Sequence, residues 1–257
     1  MRFVQYAFIA FLSSSVSAFA QGSFEGGIKG GGTFTHGYTT IPAIPLSATA
    51  STPQLNNKSN GIGTGYLFGL WGRKNFDSFY LQVELSYSSF LLKQKTDLSI
   101  TAEQAFVLAG QVRPSIIPAQ TPTAVNIVSE STLRAVNVPI LFGKKWADGK
   151  IRAFAGPNLL FTDKAIVNRE TTASINSLSV SATTETNLKE PNPQNPAETA
   201  LEVKPFTYAI EAGVGYTFLR RLDLDVRYAL PIGGIYENTN ITGYLGIATV
   251  ALGIKLF

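Results

Sequence analysis

The sequence contains a single histidine, His36, whose side chain is the type best suited to act as a general base near neutral pH. Ser88 and Ser89 lie toward the same end of another predicted strand, so one interpretation is a Ser–His–acid site in a lipid hydrolase or acyltransferase. The alternative is a solvated histidine at the edge of a loop. One histidine without a recognisable motif gives weak support to catalysis, so we predict no catalytic residues and no enzymatic activity.

A second group of side chains carries charges of both signs on the polar faces of predicted strands. These residues are Glu25, Lys29, Glu84, Arg152, Glu211, Asp225 and Arg227, together with Asp223. Because buried charges must be paired, we expect the acids and bases to be matched across strands inside a closed structure. The alternative is that they line a proton or ion path, which would make the protein a narrow pore.

The composition gives little support to other kinds of site. The chain has no cysteine, which excludes disulfides, thiolate catalysis and zinc–thiolate sites. Histidine and carboxylate residues do not cluster at the spacing of metal ligands. The glycines at 26–27 and 30–32 lack the Gly-Lys-Ser/Thr ending and the following helix of a phosphate loop. We therefore predict no cofactor and no metal.

The charged residues lie on segments in which large apolar side chains alternate with small or polar ones. A period of two is the spacing of a β-strand, whose successive side chains point to opposite faces. The clearest segment begins at Phe206 and ends at Phe218. Single-chain bacterial barrels have an even number of strands, and eight segments show the pattern: about 24–36, 61–72, 79–88, 131–144, 150–163, 206–218, 222–230 and 243–256.

The connections between the predicted strands alternate in length. Tight turns are predicted at 73–77, 146–149 and 219–222. Longer loops are predicted at about 37–60, 97–130, 167–203 and 237–242. The third loop is rich in proline, and we expect it to be mobile. Short turns on one rim and long loops on the other are typical of outer-membrane barrels, in which the long loops are extracellular.

The composition of the two strand faces indicates which one meets lipid. The polar face consists mostly of Gly, Ala, Ser and Thr, which fit the narrow bore of an eight-stranded barrel. A soluble barrel of the lipocalin type would instead place the apolar face inward. We therefore predict that apolar side chains face lipid, with aromatic girdles near the strand ends. Trp71 and Trp146 are candidates for these girdles, although Trp71 falls on the nominal inner face.

The first twenty residues have the pattern of an export signal. Arg2 supplies the positive charge, 3–12 form an apolar stretch, and Ala18-Phe19-Ala20 fits a cleavage site. We predict a signal peptide at 1–20 and one barrel domain at 21–257. Cleavage of residues 1–20 would remove one charged residue, Arg2, and would lower the formal net charge from +4 to +3. This charge is too small to indicate binding of nucleic acid. Charged residues make up 15% of the chain, against about 25% in soluble proteins.

Several segments resemble the PorT-like outer-membrane barrels of Bacteroidetes, which are barrels of the OmpA/OmpX type. Residues 136–143 resemble the strand with the motif IPLLLKY, and residues 152–158 resemble the strand with PYLFAGPSL. Residues 211–216 and 224–228 are similar to the later strands. The resemblance implies insertion by the barrel-assembly machinery, and one member of that family is linked to protein secretion.

The sequence therefore predicts an all-β protein, an eight-stranded antiparallel up-and-down transmembrane β-barrel with long extracellular loops, in the bacterial outer membrane. A structural or binding role through these loops ranks first, with the link to secretion taken from the resemblance. A narrow pore ranks second, and a lipid hydrolase or acyltransferase using His36 ranks third. The expected partners are outer-membrane lipid, the barrel-assembly machinery during insertion, and an extracellular or periplasmic protein.

Overall fold

The computed structural model describes residues 24–43, 51, 53–108, 111–175, 178–194 and 196–257, so the predicted signal peptide at 1–20 lies outside it. The elements of these ranges are β1 (Phe24–Ile41), β2 (Leu55–Ser59), β3 (Gly63–Asn75), β4 (Tyr80–Thr101), α1 (Ala102–Leu108), β5 (Pro122–Trp146), β6 (Ile151–Ile175), β7 (Leu178–Asn187), α2 (Pro196–Thr199), β8 (Phe206–Phe218), β9 (Leu222–Ile232) and β10 (Thr242–Lys255). Neither helix of this part of the chain has the length and hydropathy to cross a membrane.

Eight of the described strands close into an antiparallel barrel. The order around the wall is β1, β3, β4, β5, β6, β8, β9 and β10. β10 then returns to β1, with pairs from Gly27↔Lys255 to Thr40↔Thr242. Closure matters because an open sheet edge would expose unpaired backbone groups. The predicted all-β fold with eight barrel strands is confirmed.

Large apolar side chains cover the outer face of the barrel. Phe68, Ile210 and Val214 expose 57%, 58% and 57% of their surface. Lys29 and Arg152, on the inner face, expose 6% and 0%. A water-soluble barrel has the opposite arrangement, with its apolar side chains inward, because its outer face is in contact with water. The outer face is therefore suited to lipid, as the sequence predicts.

The predicted loops at 97–130 and 167–203 are too long, because strands extend into them. β4 runs to Thr101 and β5 begins at Pro122, while β6 runs to Ile175 and turns into β7. The predicted loop at 37–60 contains the end of β1 and all of β2, which continues the line of β3 after a break at Gly61, whose φ is 94°. The predicted turn at 73–77 begins too early, since β3 includes Arg73.

The strands that run on extend the same sheet into a region beyond one end of the barrel. We call it the distal sheet, and it consists of β2, β7 and residues 91–101, 122–132 and 163–175. At about 3.3 Å per residue, ten residues of a strand extend about 33 Å. The distal sheet has its own apolar core, formed in part by Ile41, Leu55, Val125, Ile127, Val167, Leu188, Leu201 and Val203.

Candidate functional site

The barrel lumen holds a network of ion pairs centred on Arg227 of β9. Arg227 Nη1 donates to Glu84 Oε2 at 2.9 Å and to Glu211 Oε1 at 3.0 Å. Its Nη2 donates to Glu84 Oε1 at 2.7 Å and to Asp225 Oδ2 at 2.6 Å. Lys29 Nζ donates to both oxygens of Glu84, at 2.8 and 2.9 Å. Glu84 is therefore held by two cations in a site closed to solvent.

A second part of the network continues from Asp225 toward the end of the barrel with the short turns. Arg152 Nη2 lies 2.5 Å from Asp225 Oδ1, and Arg152 Nη1 lies 3.0 Å from Asp223 Oδ1. Arg73 joins Asp223 to Glu25, at 3.1 Å from Asp223 Oδ2 and 2.8 Å from Glu25 Oε2. The acids and bases thus alternate along a continuous chain of contacts.

The structure brings together all seven charged residues that the sequence singles out, and Asp223 with them. Sequence reasoning missed three cations: Arg73, and also Lys145 and Lys255, whose Nζ atoms each lie 3.0 Å from Glu25. Arg73 pairs directly with Glu25 across β1 and β3, in a register that the sequence does not give. Its assignment to a turn hid that pairing.

Glycines on the inner face make room for the charged groups. A Cβ atom at Gly215 would lie 2.5 Å from Arg152 Nε and 2.5 Å from Asp225 Oδ1. At Gly213 it would lie 2.8 Å from the ring of Phe154. Real Cβ atoms do not approach other atoms so closely, so any larger residue would displace the ion pair or the ring. The small residues of this face are therefore matched to its large ones.

Aromatic side chains pack among the cations. Trp71 is 5% exposed and lies inside the lumen, where the guanidinium carbon of Arg73 is 4.8 Å from its ring centroid. The guanidinium carbon of Arg227 is 5.0 Å from the ring centroid of Phe154. These distances are in the range of cation–π interactions. The prediction that Trp71 belongs to an outer girdle is therefore wrong, whereas Trp146 is on the outside and 47% exposed.

Above the network, toward the distal sheet, the lumen is filled by apolar side chains. The layer consists of Phe90, Ala135, Leu160, Ala209, Ala229 and Ile247. Between this layer and Arg227 the structure has a cavity of about 30 Å³. That volume holds about two water molecules. Where the described residues line the bore, charged groups fill one part and apolar groups fill the next.

His36 lies on the other side of the barrel wall from this network. It is exposed, and its Nε2 is 3.4 Å from the hydroxyl of Tyr228. Its ring centroid is 5.5 Å from that of Tyr244. Ser88 is buried on the inner face, where its hydroxyl accepts a hydrogen bond from the Asn137 amide. The geometry therefore does not bring His36 and Ser88 together. Nor, over the ranges that the structure describes, do three or more His, Asp or Glu side chains form a group that could hold a metal ion.

A closed antiparallel ring with an apolar exterior and a filled, charged lumen defines a transmembrane β-barrel. Comparison with protein families agrees with this class. The chain belongs to the outer membrane protein beta-barrel domain family, whose model matches residues 19–237. This membership indicates a bacterial outer-membrane protein.

Several solved structures are similar to this chain at low identity. The attachment invasion locus protein Ail of Yersinia pestis is 10% identical, with 90% of this chain and 98% of Ail covered and a TM-score of 0.36. Neisserial surface protein A is 10% identical, with 89% and 97% covered and a TM-score of 0.32. The outer membrane protease OmpT of Escherichia coli is 9% identical, with 92% and 98% covered and a TM-score of 0.41. No curated protein matches the sequence.

Proposed function

We propose that the protein is a closed outer-membrane barrel that displays the distal sheet outside the cell to bind a protein partner. In bacterial barrels the end with the longer connections is extracellular, which supports this orientation. We also propose that the protein is not an enzyme. The further link to protein secretion is supported only by the resemblance to PorT-like barrels. Outer-membrane lipid and, during insertion, the barrel-assembly machinery are the other partners that we propose.

The observation that supports a binding role is the free edge of β7. This strand pairs with β6 from Ile166↔Asn187 to Ile175↔Leu178, and within the described residues no strand pairs with its other side. An unpaired edge offers backbone N–H and C=O groups to an incoming extended segment. Thr183 and Thr184, in the middle of β7, are exposed. An extended peptide of a partner protein fits this edge.

We expect a photoreactive benzoylphenylalanine at Thr183 to give a discrete cross-linked product on intact cells, because the side chain sits beside the free edge of β7. The same group at Ser99, an exposed position on β4, is the matched control and should give none. Cross-linked products are detected on gels and identified by mass spectrometry. Heat-modifiable migration shows that each variant has a folded barrel. Equal products at both positions, or no product at Thr183, would reject binding through this edge.

The second candidate function, a narrow pore, is disfavoured by the filled lumen. Eight strands leave a bore just wide enough for side chains, and here the cavity beside Arg227 measures about 30 Å³. We therefore expect the purified protein to give no stable single-channel steps in planar bilayers. A porin of known conductance, inserted in the same bilayers, controls for insertion. Reproducible steps from the wild-type protein would favour the pore and contradict a closed barrel.

The third candidate, a lipid hydrolase or acyltransferase using His36, has little support from the geometry. A general base must lie within hydrogen-bond reach of the nucleophile that it activates. The contacts of His36 are instead with the aromatic side chains of Tyr228 and Tyr244. Such a cluster is typical of the aromatic belt at a membrane interface. We therefore assign His36 to that belt.

A further inference from the structure

The barrel wall has an interruption between β9 and β10 on the side of the distal sheet. The ladder between these two strands ends at Ala229↔Ile247. Beyond that pair β9 continues to Ile232, but it is paired there only with β8. β10 likewise continues to Thr242 and is paired there only with β1. The two strands therefore part from each other while each remains part of the wall.

The sequence of β9 explains why the ladder stops. In the register of the ladder, Pro231 would lie opposite Leu245, and proline has no N–H to donate to a neighbouring strand. Gly233 and Gly234 follow with φ values of 75° and 71°, a conformation that favours glycine. Together they turn the chain away from β10.

Hydrogen bonds on the far side of this turn hold the parted conformation. The backbone N–H of Lys204 donates to Ile235 O at 2.9 Å, and that of Glu237 donates to Glu202 O at 2.9 Å. Lys204 Nζ also donates to Gly233 O at 2.8 Å. The segment after β9 is thus paired with the segment before β8. Backbone groups that would otherwise be available to β10 are already bonded elsewhere.

A cavity of about 620 Å³ lies at this interruption. Ligand sites usually have volumes of about 300–1,000 Å³. Side chains of both faces of the wall line it: Leu92 and Leu245 belong to the inner face, and Tyr38 and Ile232 to the outer face. The lining of the cavity therefore includes side chains of both faces of the wall at this interruption.

The inner end of the cavity is closed by apolar side chains. Leu245 packs against the apolar layer of the lumen, and Tyr236 and Ile241 pack against the core of the distal sheet. The ion pairs around Arg227 lie beyond that layer. A charged ligand would find no charged partner among the residues that line the cavity, whereas a hydrocarbon chain would bury apolar surface. Asn238, Thr239 and Tyr244 supply polar groups elsewhere in the lining.

We propose that this cavity is a lateral binding site for a hydrocarbon chain of a membrane lipid, which enters the barrel through the wall between β9 and β10. The exposed side chains of Tyr38 and Ile232, at 57% and 38%, flank the entrance on the face that meets lipid. The surrounding membrane supplies the occupant at high local concentration. The site is independent of the proposed binding role of the distal sheet.

A pair of double-cysteine variants tests whether the wall is open, because the natural chain has no cysteine. Val226 and Val250 are paired in the ladder, so Val226→Cys with Val250→Cys should form a disulfide on oxidation. Ile232 and Tyr244 would be the corresponding pair if the ladder continued. Because disulfides need Cα atoms within about 7 Å, Ile232→Cys with Tyr244→Cys should cross-link at least about tenfold more slowly. Equal rates would overturn the opening.

Photoreactive lipid then tests the occupant. The protein is placed in nanodiscs containing phosphatidylcholine with a diazirine at the end of one acyl chain, and adducts are located by mass spectrometry. We expect adducts on Leu92 and Leu245 of the inner face as well as on Ile232. Leu141, which faces the lumen at the other end of the barrel and is 0% exposed, should remain unlabelled. Adducts confined to outward-facing residues would overturn the proposal.

Two further experiments test the source of the bound hydrocarbon chain and the role of the cavity. A diazirine fatty acid added from the aqueous side should label Leu92 less than the phospholipid does, and labelling by the free acid alone would overturn the membrane origin. Leu245→Trp fills the cavity and should reduce lipid adducts on Leu92 at least fivefold. Leu245→Ile, which conserves volume, is the matched control and should not. Unchanged labelling in the tryptophan variant would also count against the site.

Discussion

Replacing Arg227 by methionine is expected to lower the free energy of unfolding by about 3–5 kcal/mol, because removal of one partner from a buried ion pair leaves the others uncompensated. Three carboxylates face this guanidinium: Glu84, Glu211 and Asp225. Methionine keeps much of the side-chain volume but supplies no hydrogen-bond donor. The measurement is urea unfolding in detergent micelles, with folded and unfolded forms separated by gel migration.

The matched control for this variant is Arg221→Met, since Arg221 is exposed in the turn before β9. A surface substitution of this kind usually changes stability by less than about 0.5 kcal/mol. Removing Glu84 together with Arg227 should destabilise the barrel by less than the sum of the two single changes, because contacting residues are coupled. Strict additivity, or a loss no larger than that of the control, would contradict a tightly coupled network.

The sequence predicts the barrel because one physical rule holds along each membrane segment, with apolar side chains outward. The same rule fails where a strand leaves the lipid. On β4 the outward positions are Leu81, Val83 and Leu85 near one end, but Lys93 and Lys95 farther along. The inward positions change in the opposite sense, from Gln82, Glu84 and Ser86 to Phe90 and Leu92, although Gln94 and Thr96 beyond them are polar and buried. The apolar face of the strand therefore changes sides at about residue 90.

This exchange explains why the sequence pattern predicts loops where the distal sheet lies. Outside the membrane a sheet faces water, so its apolar side chains turn inward, as Val125 and Ile127 do on β5. A continuous strand then shows two alternating patterns of opposite phase, joined by a stretch that resembles neither. On β5 and β6 a register shift near Arg134 and Ala135 adds to the interruption. Each alternating pattern taken alone therefore ends where the strand leaves the membrane.

The sequence predicts which residues belong to the ion-pair network but not which of them contact each other. Charges of both signs on an inward face predict pairing, and Glu84 and Arg227 lie in contact in the lumen. Which acid meets which base depends on the stagger of the strands around the barrel, and the sequence contains no direct record of it. The opening between β9 and β10 is hidden for the same reason. Pro231 marks a weak point, but only the register shows that Leu245 would be its neighbour.

Introducing arginine at Val226 is expected to lower the free energy of unfolding by about 2–4 kcal/mol, the cost of a charge on the lipid face near the middle of the membrane. Val226 precedes Arg227 on β9 and is 47% exposed on the outer face. Ser99→Arg, at an exposed position of the distal sheet, is the control and should change stability by less than about 0.5 kcal/mol. Both variants are compared by urea unfolding in lipid vesicles. If this face met water, an arginine at position 226 would change stability little. A small effect of Val226→Arg, together with a wild-type protein that stays soluble without detergent, would therefore show that this face does not meet lipid. The two neighbouring positions thus have opposite requirements: a charge stabilises the barrel at 227 and destabilises it at 226, because the wall between them separates a packed ionic interior from hydrocarbon.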